Sequence, residues 1–269
     1  MGILNLTPDS FSQDGLLVKD HRDISKIVNV AQNMIKDGAD LIDVGGESTR
    51  PGASRISVKE EIERIIPCIR SLAKKIKSPI AVDSYKAEVV THALDNGASI
   101  VNNIMGTKPK ARLLKMVKNY DAAIILMHSR KTPKTMQKNI QYKNLIFEII
   151  MELKRSIENC LEIGIGFDKI IVDPGIGFGK TTAHNLEILN RLKDFTVLNR
   201  PILIGTSRKS FIGQITKREV RQRLAGTIAS VSCAVMNNAH IVRVHDVKET
   251  KDAASVIDAI LNYNQWENN

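Results

Sequence analysis

Short apolar runs recur along the chain, separated by longer amphipathic stretches. The runs are GILNL (2–6), LIDVG (41–45), IAVDS (80–84), SIVNN (99–103), AIILMH (123–128), KIIVD (169–173), PILIG (201–205) and HIVRV (240–244). They show little alternation of apolar and polar positions, as expected of strands buried on both faces in a parallel sheet. The intervening stretches carry helical spacing: Ile24, Ile27, Val28, Ala31, Met34 and Ile35 in one, and Leu145, Ile149, Leu153, Ile157 and Leu161 in another. Glycine stands just before the next strand in KDGAD (36–40), DNGAS (95–99) and EIGIG (162–166). There it supplies the left-handed residue that ends a helix. Eight strand–helix pairs in a chain of 269 residues predict an α/β fold, a TIM (β/α)8 barrel. A doubly wound open sheet is the alternative. No linker, low-complexity tract or internal repeat interrupts the pattern, so a single domain over residues 1–269 is expected.

Composition narrows the partners. Aromatic residues make up 4% of the chain, so the core must be built from Ile, Leu, Val and Ala. Lys and Arg number 39 against 29 Asp and Glu, a net charge of +10. The basic residues are spread over all the helical stretches, with one Trp (Trp266) to stack on bases, so no nucleic-acid surface is expected. A generally basic solvated surface is the plain reading, and an anionic small substrate the next. Cys68, Cys160 and Cys233 lie far apart with no CxxC pair, which fits reduced core residues in a cytoplasmic protein. No apolar run is long enough to span a bilayer, and the opening MGILNL reads as a strand rather than a signal peptide.

In a barrel the chemistry belongs at the carboxyl ends of the strands. Those ends carry Asn5, Asp43, Asp83, Asn102 and Asn103, His128, Asp173, then Ser207, Arg208 and Lys209 after the seventh run, and Arg243 and His245 at the eighth. One such residue is more often a helix cap than a catalyst. Eight strands ending this way would gather carboxylates, amides and cations on one mouth. Buried charges need partners, and a ligand bearing both donors and anions would supply them.

VDPGIGFGKT (172–181) resembles a nucleotide loop but fails the test. A P-loop needs glycine five positions before Gly179, where Pro174 stands, and a dinucleotide fingerprint needs glycine where Lys180 stands. The glycines suit a tight turn close to a flat ligand. Asp173 is placed to pair, by two parallel hydrogen bonds, with the N–H–C–N–H edge of a guanidine-like heterocycle. SRKSFIG (207–213) puts two cations and Ser210 at a helix start, an end that attracts carboxylates or phosphates, although a surface turn would look the same. The six histidines show no zinc-binding spacing, and no G-x-S-x-G elbow is present.

Taken in order, MGILNLTPDSFS, DVGGESTRPG, VDSYK, MHSRKTPKTMQ, VDPGIGFGK, GTSRKSFIG and RVHDV closely resemble the motifs of the dihydropteroate synthases, a pterin-binding family, from Met1 to about residue 250. The resemblance implies a TIM barrel, usually a homodimer. It implies a transferase of folate biosynthesis that joins 6-hydroxymethyl-7,8-dihydropterin diphosphate to 4-aminobenzoate and releases pyrophosphate. Asp83, Asn102, Asp173 and Lys209 match the pterin-pocket positions. Asn5 matches the position associated with Mg²⁺ and the diphosphate. Arg243 and His245 match the diphosphate anchor, with Thr49 and Arg50 nearby. Phe11, Pro51 and Ser210 match the aminobenzoate wall and carboxylate end, where sulfonamides would compete. Catalysis would fall to Asp83, Lys209, Arg243 and His245.

The chain departs from the common family pattern at several places. It reads SFSQDG rather than SFSDGG, so Gln13 or Asp14 stands at that carboxylate position. Asn103 replaces the usual Asp of an ND pair, and LMHSRK brings Ser129 and Lys131. A stretch common before the first strand is also missing. Two other readings start from the same residues. A corrinoid-linked methyltransferase of the superfamily shares the Asp and Asn ends but has no diphosphate for SRK and RVH to hold. A non-catalytic pterin-binding paralogue is suggested by Gln13 and Asn103.

Overall fold

The computed structural model describes residues 1–7, 24–48, 55–103, 109–130, 136 and 140–266. Eight parallel strands form the centre: β1 (Gly2–Asn5), β2 (Ile42–Gly45), β3 (Ile80–Asp83), β4 (Ile100–Asn103), β5 (Ala123–Met127), β6 (Ile170–Asp173), β7 (Leu203–Ile204) and β8 (Ile241–Val242). Strands β1 to β6 pair in sequence order, and β7 pairs with β8. Two bridges join these groups into a ring, Val172 to Ile202 and Gly2 to Val244. At the first seam the Val172 N–H donates to the Pro201 carbonyl at 3.0 Å. Pro201 has no N–H to return, which keeps that seam short. At the second, Ile3 N–H donates to Val244 O at 2.9 Å and Val244 N–H to Met1 O at 3.0 Å. The ring is a closed barrel, not an open doubly wound sheet.

Period-two alternation along the strands divides the apolar residues into two clusters. Inward-facing Met1, Ala81, Ile100, Ile125 and Leu203, with Leu41, Ala123, Ile171 and Ile241 beside them, plug the lower barrel. Outward-facing Leu4, Ile42, Val44, Val82, Val101, Ile124, Leu126, Val172 and Ile204 join the helices in the larger core. The plug ends below the carboxyl ends of the strands. The inward positions above it include Asn5, Asp43, Asp83, Asn102, Asp173 and Arg243, with Met127 beside Asp173 on β5 and Gly205 after β7. The same alternation turns Asn103 to the outer face, so the missing family carboxylate lies behind the sheet and not in the mouth.

The helices are α1 (Ile24–Lys36), α2 (Val58–Lys75), α3 (Ala87–Asp95), α4 (Ala111–Asn119), α5 (Leu145–Ile163), α6 (Thr182–Asn190), α7 (Ser210–Thr216), α8 (Leu224–Met236) and α9 (Val247–Leu261), with a short turn at Tyr263–Trp266. Helix α5 starts at Asn144, whose side chain accepts the Phe147 N–H, and stops at Gly164 with φ 90°. Its stripe Leu145, Ile149, Leu153 and Ile157 is buried, but Leu161 is 42% exposed. Four-residue steps outrun the 3.6-residue turn, so the stripe rotates away from the core and Cys160 takes the inward position.

Candidate active site

The register lines up the mouth. Asn5 lies beside Gly45, Gly45 beside Asp83, and Asp83 beside Asn102. Gly45 leaves open the space between its neighbours: a methyl group there would sit 3.3 Å from Asn5 Oδ1 and 3.4 Å from Asp83 Cβ.

From β8, across the barrel, Arg243 spreads its guanidinium over two carboxylates. Nε donates to Asp43 Oδ2 at 2.6 Å and Nη2 to Asp83 Oδ2 at 2.8 Å. Asn102 Nδ2 donates to the same Asp43 oxygen at 3.1 Å. The second oxygens, Asp43 Oδ1 and Asp83 Oδ1, are buried and have no hydrogen-bond partner among the described residues. A buried acceptor without a donor is costly, so both suit a donor-bearing ligand. Burial pushes the Asp83 carboxyl up to about 7, Arg243 pulls it back, and the neighbouring carboxylate of Asp43 adds to the rise. Asp43, fully buried, was not singled out by the family match. Its inward parity with Asn5 and Asp83 was the available signal.

Asp173 sits at the opposite side of the ring, 7% exposed. Its Oδ1 accepts the Gly175 N–H at 2.7 Å. Burial raises its pKa, while Lys209 and the Gly175 hydrogen bond pull it down. Lys209 caps α7 and donates from Nζ to the Ile176 carbonyl, above the Phe178 ring at 4.9 Å. Burial lowers the Lys209 pKa to about 8 against the pull of Asp173.

The loops after β7 and β8 are locked together. Ser207 Oγ lies 2.9 Å from His245 Nδ1 and accepts the His245 N–H at 3.2 Å. Arg208 has φ 58° and grips Asp246 with two N–H groups, at 3.1 and 2.5 Å. These ties set Lys209 against Arg243 and His245. Ser210 opens α7 at the exposed rim. The structure therefore brings Asn5, Asp83, Asn102, Asp173, Lys209, Arg243 and His245 to one end of one barrel. Phe11, Thr49, Arg50 and Pro51, with Gln13, Asp14 and Lys131, lie outside the described residues.

The stem of the second loop is held by charge. Glu47 takes Lys86 Nζ at 2.6 Å, Tyr85 Oη at 3.0 Å and the Ile56 N–H at 3.2 Å, and Glu61 takes the same lysine at 2.7 Å. Among the described residues no three His, Cys, Asp or Glu side chains gather to cage an ion. The oxygens at hand are those of Asn5, Asp43 and Asp83. They suit a hard cation that takes most of its ligands from phosphate and water.

A family model described as "Pterin binding enzyme" matches residues 1–245. The dihydropteroate synthase of Clostridium beijerinckii is 43% identical over 97% of this chain and 93% of its own. The dihydropteroate synthase of Yersinia pestis, solved with a sulfonamide drug complex, superposes with a TM-score of 0.91 at 39% identity, over 97% of this chain and 93% of the other. That of Xanthomonas albilineans, solved with 4-aminobenzoic acid, gives 0.88 at 37% identity, over 97% and 92%.

Proposed function

This chain belongs to the pterin-binding enzyme family and catalyses the dihydropteroate synthase reaction, and we propose that the residues of its barrel mouth divide that reaction among them. The enzyme is a transferase of folate biosynthesis. It condenses 6-hydroxymethyl-7,8-dihydropterin diphosphate with 4-aminobenzoate to give 7,8-dihydropteroate and pyrophosphate. The observation that carries the division is the facing of two buried carboxylates, Asp83 and Asp173, by the cations Arg243 and Lys209 at a barrel mouth floored by an apolar plug.

Asp173 takes the 2-amino-pyrimidinone edge of the pterin, with Asn102 and Asp83 on the rest of the ring. Lys209, held over the glycine loop, lies beside the ring face. As the amine nitrogen of 4-aminobenzoate bonds to the methylene carbon, the bond from that carbon to the diphosphate oxygen breaks. The ring shares the positive charge that develops, and the ionised forms of Asp83 and Asp173 favour it. Of the five N–H groups on Arg243, two go to aspartates. The remainder, with His245, Thr49 and Arg50, serve the diphosphate. Phe11, Pro51 and Ser210 frame the aminobenzoate, and sulfonamides compete for that place. No strong base is needed, so positioning and electrostatics carry the rate.

Mg²⁺ would be held by Asn5 and the diphosphate oxygens, and would neutralise charge on the leaving group. The unpartnered oxygens of Asp43 and Asp83 in the same mouth support an oxygen-rich cation site. A homodimer is supported by the C-terminal helices. Helix α8 carries no charged residue yet buries only Thr227, Val231 and Ala234, while Leu224 and Met236, with Val256 and Ile260 of α9, are exposed. Residues 1–269 act as one catalytic domain. No helix among the described residues is long and apolar enough to cross a membrane, and a cytoplasmic setting fits the free thiols at 68, 160 and 233.

Incubation with both substrates and Mg²⁺, followed by measurement of pyrophosphate, tests this division. Lys209→Ala should weaken pterin binding and stop turnover. Normal turnover in that variant would remove Lys209 from the site. Wild-type protein that binds pterin without releasing pyrophosphate would be a non-catalytic paralogue.

A further inference from the structure

Lys180 follows the glycine loop but does not line the mouth. It is 3% exposed, with its Nζ 3.0 Å from His128 Nδ1 and donating to the Phe178 carbonyl at 3.1 Å. His128 is fully buried just past β5, and its Nε2 lies 3.2 Å from Glu152 Oε2 on α5. Glu152 also pairs with Arg130 at 2.6 Å, and Arg130 pairs with Glu148. A line of alternating partners thus runs from the back of the glycine loop to the protein surface. With the lysine donating to Nδ1, the histidine proton belongs on Nε2, which lies at ion-pair distance from Glu152 but is not aimed at its oxygen as a hydrogen bond.

We propose that Lys180 is a positioning residue for the pterin pocket, acting through the His128–Glu152 line to hold the loop 174–179 in the shape that serves Asp173 and Lys209. The loop is pressed against strand β5: a methyl group at Gly175, where φ is +74°, would collide with the His128 carbonyl oxygen. The His128 N–H donates to the Asp173 carbonyl at 2.7 Å. Lys180 clamps this contact from behind, with its Nζ 3.5 Å from the same His128 carbonyl. Two loop groups then point into the pocket. The Gly175 N–H bonds Asp173, and the Ile176 carbonyl receives Lys209. The far end of the loop is pinned by Gly177 N–H to Asn185 Oδ1 at 2.8 Å and by Tyr142 Oη to the Gly179 carbonyl at 3.3 Å.

Charge adds to the geometry. The cations facing Asp173 are Lys209 from the β7 loop, Lys180 from the β6 loop and Arg243 from β8. Those facing Lys180 are Lys209 and Arg130, opposed by Asp173 and Glu152. Burial lowers Lys180 to about 7 and His128 to about 4. Between about pH 4 and 7 the lysine is therefore charged beside a neutral imidazole, and it favours the ionised form of Asp173 that the pterin edge requires.

The role rests on the pterin reading of the pocket, which wild-type turnover tests separately. The test of Lys180 is the ratio of variant to wild type in the pH profile of kcat/KM for each substrate. Lys180→Met should raise KM for the pterin diphosphate about tenfold, with KM for 4-aminobenzoate little changed. It should also move the acid limb to higher pH, because Asp173 loses one of its cations. Lys180→Arg should recover part of both effects. Glu152→Gln, at the partly exposed end of the line, should shift both in the same direction by less, and it serves as the readout if Lys180→Met does not fold. A role in stability alone would lower the melting temperature while leaving the pterin KM and acid limb in place. That outcome in folded Lys180→Met, or in Glu152→Gln where the lysine variant does not fold, would overturn the assignment.

Discussion

Arg243 and Asp83 stand 160 positions apart in the chain, yet the Arg243 Nη2 donates to Asp83 Oδ2 at 2.8 Å while its Nε holds Asp43. The fork is both a structural tie across the barrel and part of the site. Arg243→Met should leave two buried carboxylates without their cation and cost about 2–3 kcal/mol, less than a fully buried pair because the arginine is partly exposed. Urea unfolding at pH 8 measures it. Adding Asp43→Asn to Arg243→Met should restore part of the stability without restoring turnover, since the double variant removes the repulsion but not the need for a cation.

Asp83 gives stability an unusual slope with pH. Its native pKa, about 7, lies above its unfolded value of 3.8. Between these values the native carboxyl keeps a proton that the unfolded chain has lost, so this group's contribution falls as pH rises from about 4 to 7. Asp83→Asn should therefore remove a declining component from the stability curve in that window. Equal slopes for variant and wild type in denaturant titrations from pH 4 to 8 would contradict the burial argument.

Lys209 titrates from the other side. Burial lowers it to about 8, so its charge is present below that value and lost above it. The kcat/KM for pterin diphosphate should decline as pH rises through about 8. Lys209→Arg, whose guanidinium stays charged, should shift that decline to higher pH even if the rate is lower.

Gly175→Ala should be far more damaging than Gly205→Ala. The first requires a left-handed backbone and meets the His128 carbonyl, while a methyl at Gly205 stands 3.7 Å from Arg243 Cβ, an ordinary contact. The expected loss for Gly175→Ala is about 1–3 kcal/mol, with weakened protection by pteroic acid in a thermal shift assay. Equal melting temperatures for the two variants would count against the loop geometry.

Asn5→Ala should raise the Mg²⁺ concentration needed for half-maximal turnover. An unchanged metal titration would take Asn5 out of the metal site. For the proposed pairing of two copies through α8, Met236→Glu on its exposed face should yield monomers in sedimentation where the wild type sediments as a dimer; a dimer of unchanged stability would overturn that interface.

The barrel and most of its mouth were legible in the sequence because both follow from simple periodicities. Apolar runs at regular spacing mark strands, and strand ends in a barrel converge whatever lies between them. Asp173 and Arg243 could be named on that ground, and the motifs sharpened it. Asp43 was visible as a strand end, but only the pleat shows that it shares the inner face with Asp83 and therefore shares Arg243. The Lys180–His128 contact was hidden because it joins two loops 52 residues apart and follows no spacing rule. Leu161 misled because a stripe written at every fourth residue drifts around its helix.

Closure of the ring by Gly2 and Val244 has a consequence for synthesis on the ribosome. The first strand emerges before the other seven, but its neighbour on that side, β8, is the last of the eight to be made. Until residue 243 has left the exit tunnel, Asp43 and Asp83 would face each other with no guanidinium between them. The nascent polypeptide therefore has reason to stay ajar on that side, and competence to hold a pterin should arrive together with the final staves of the cask.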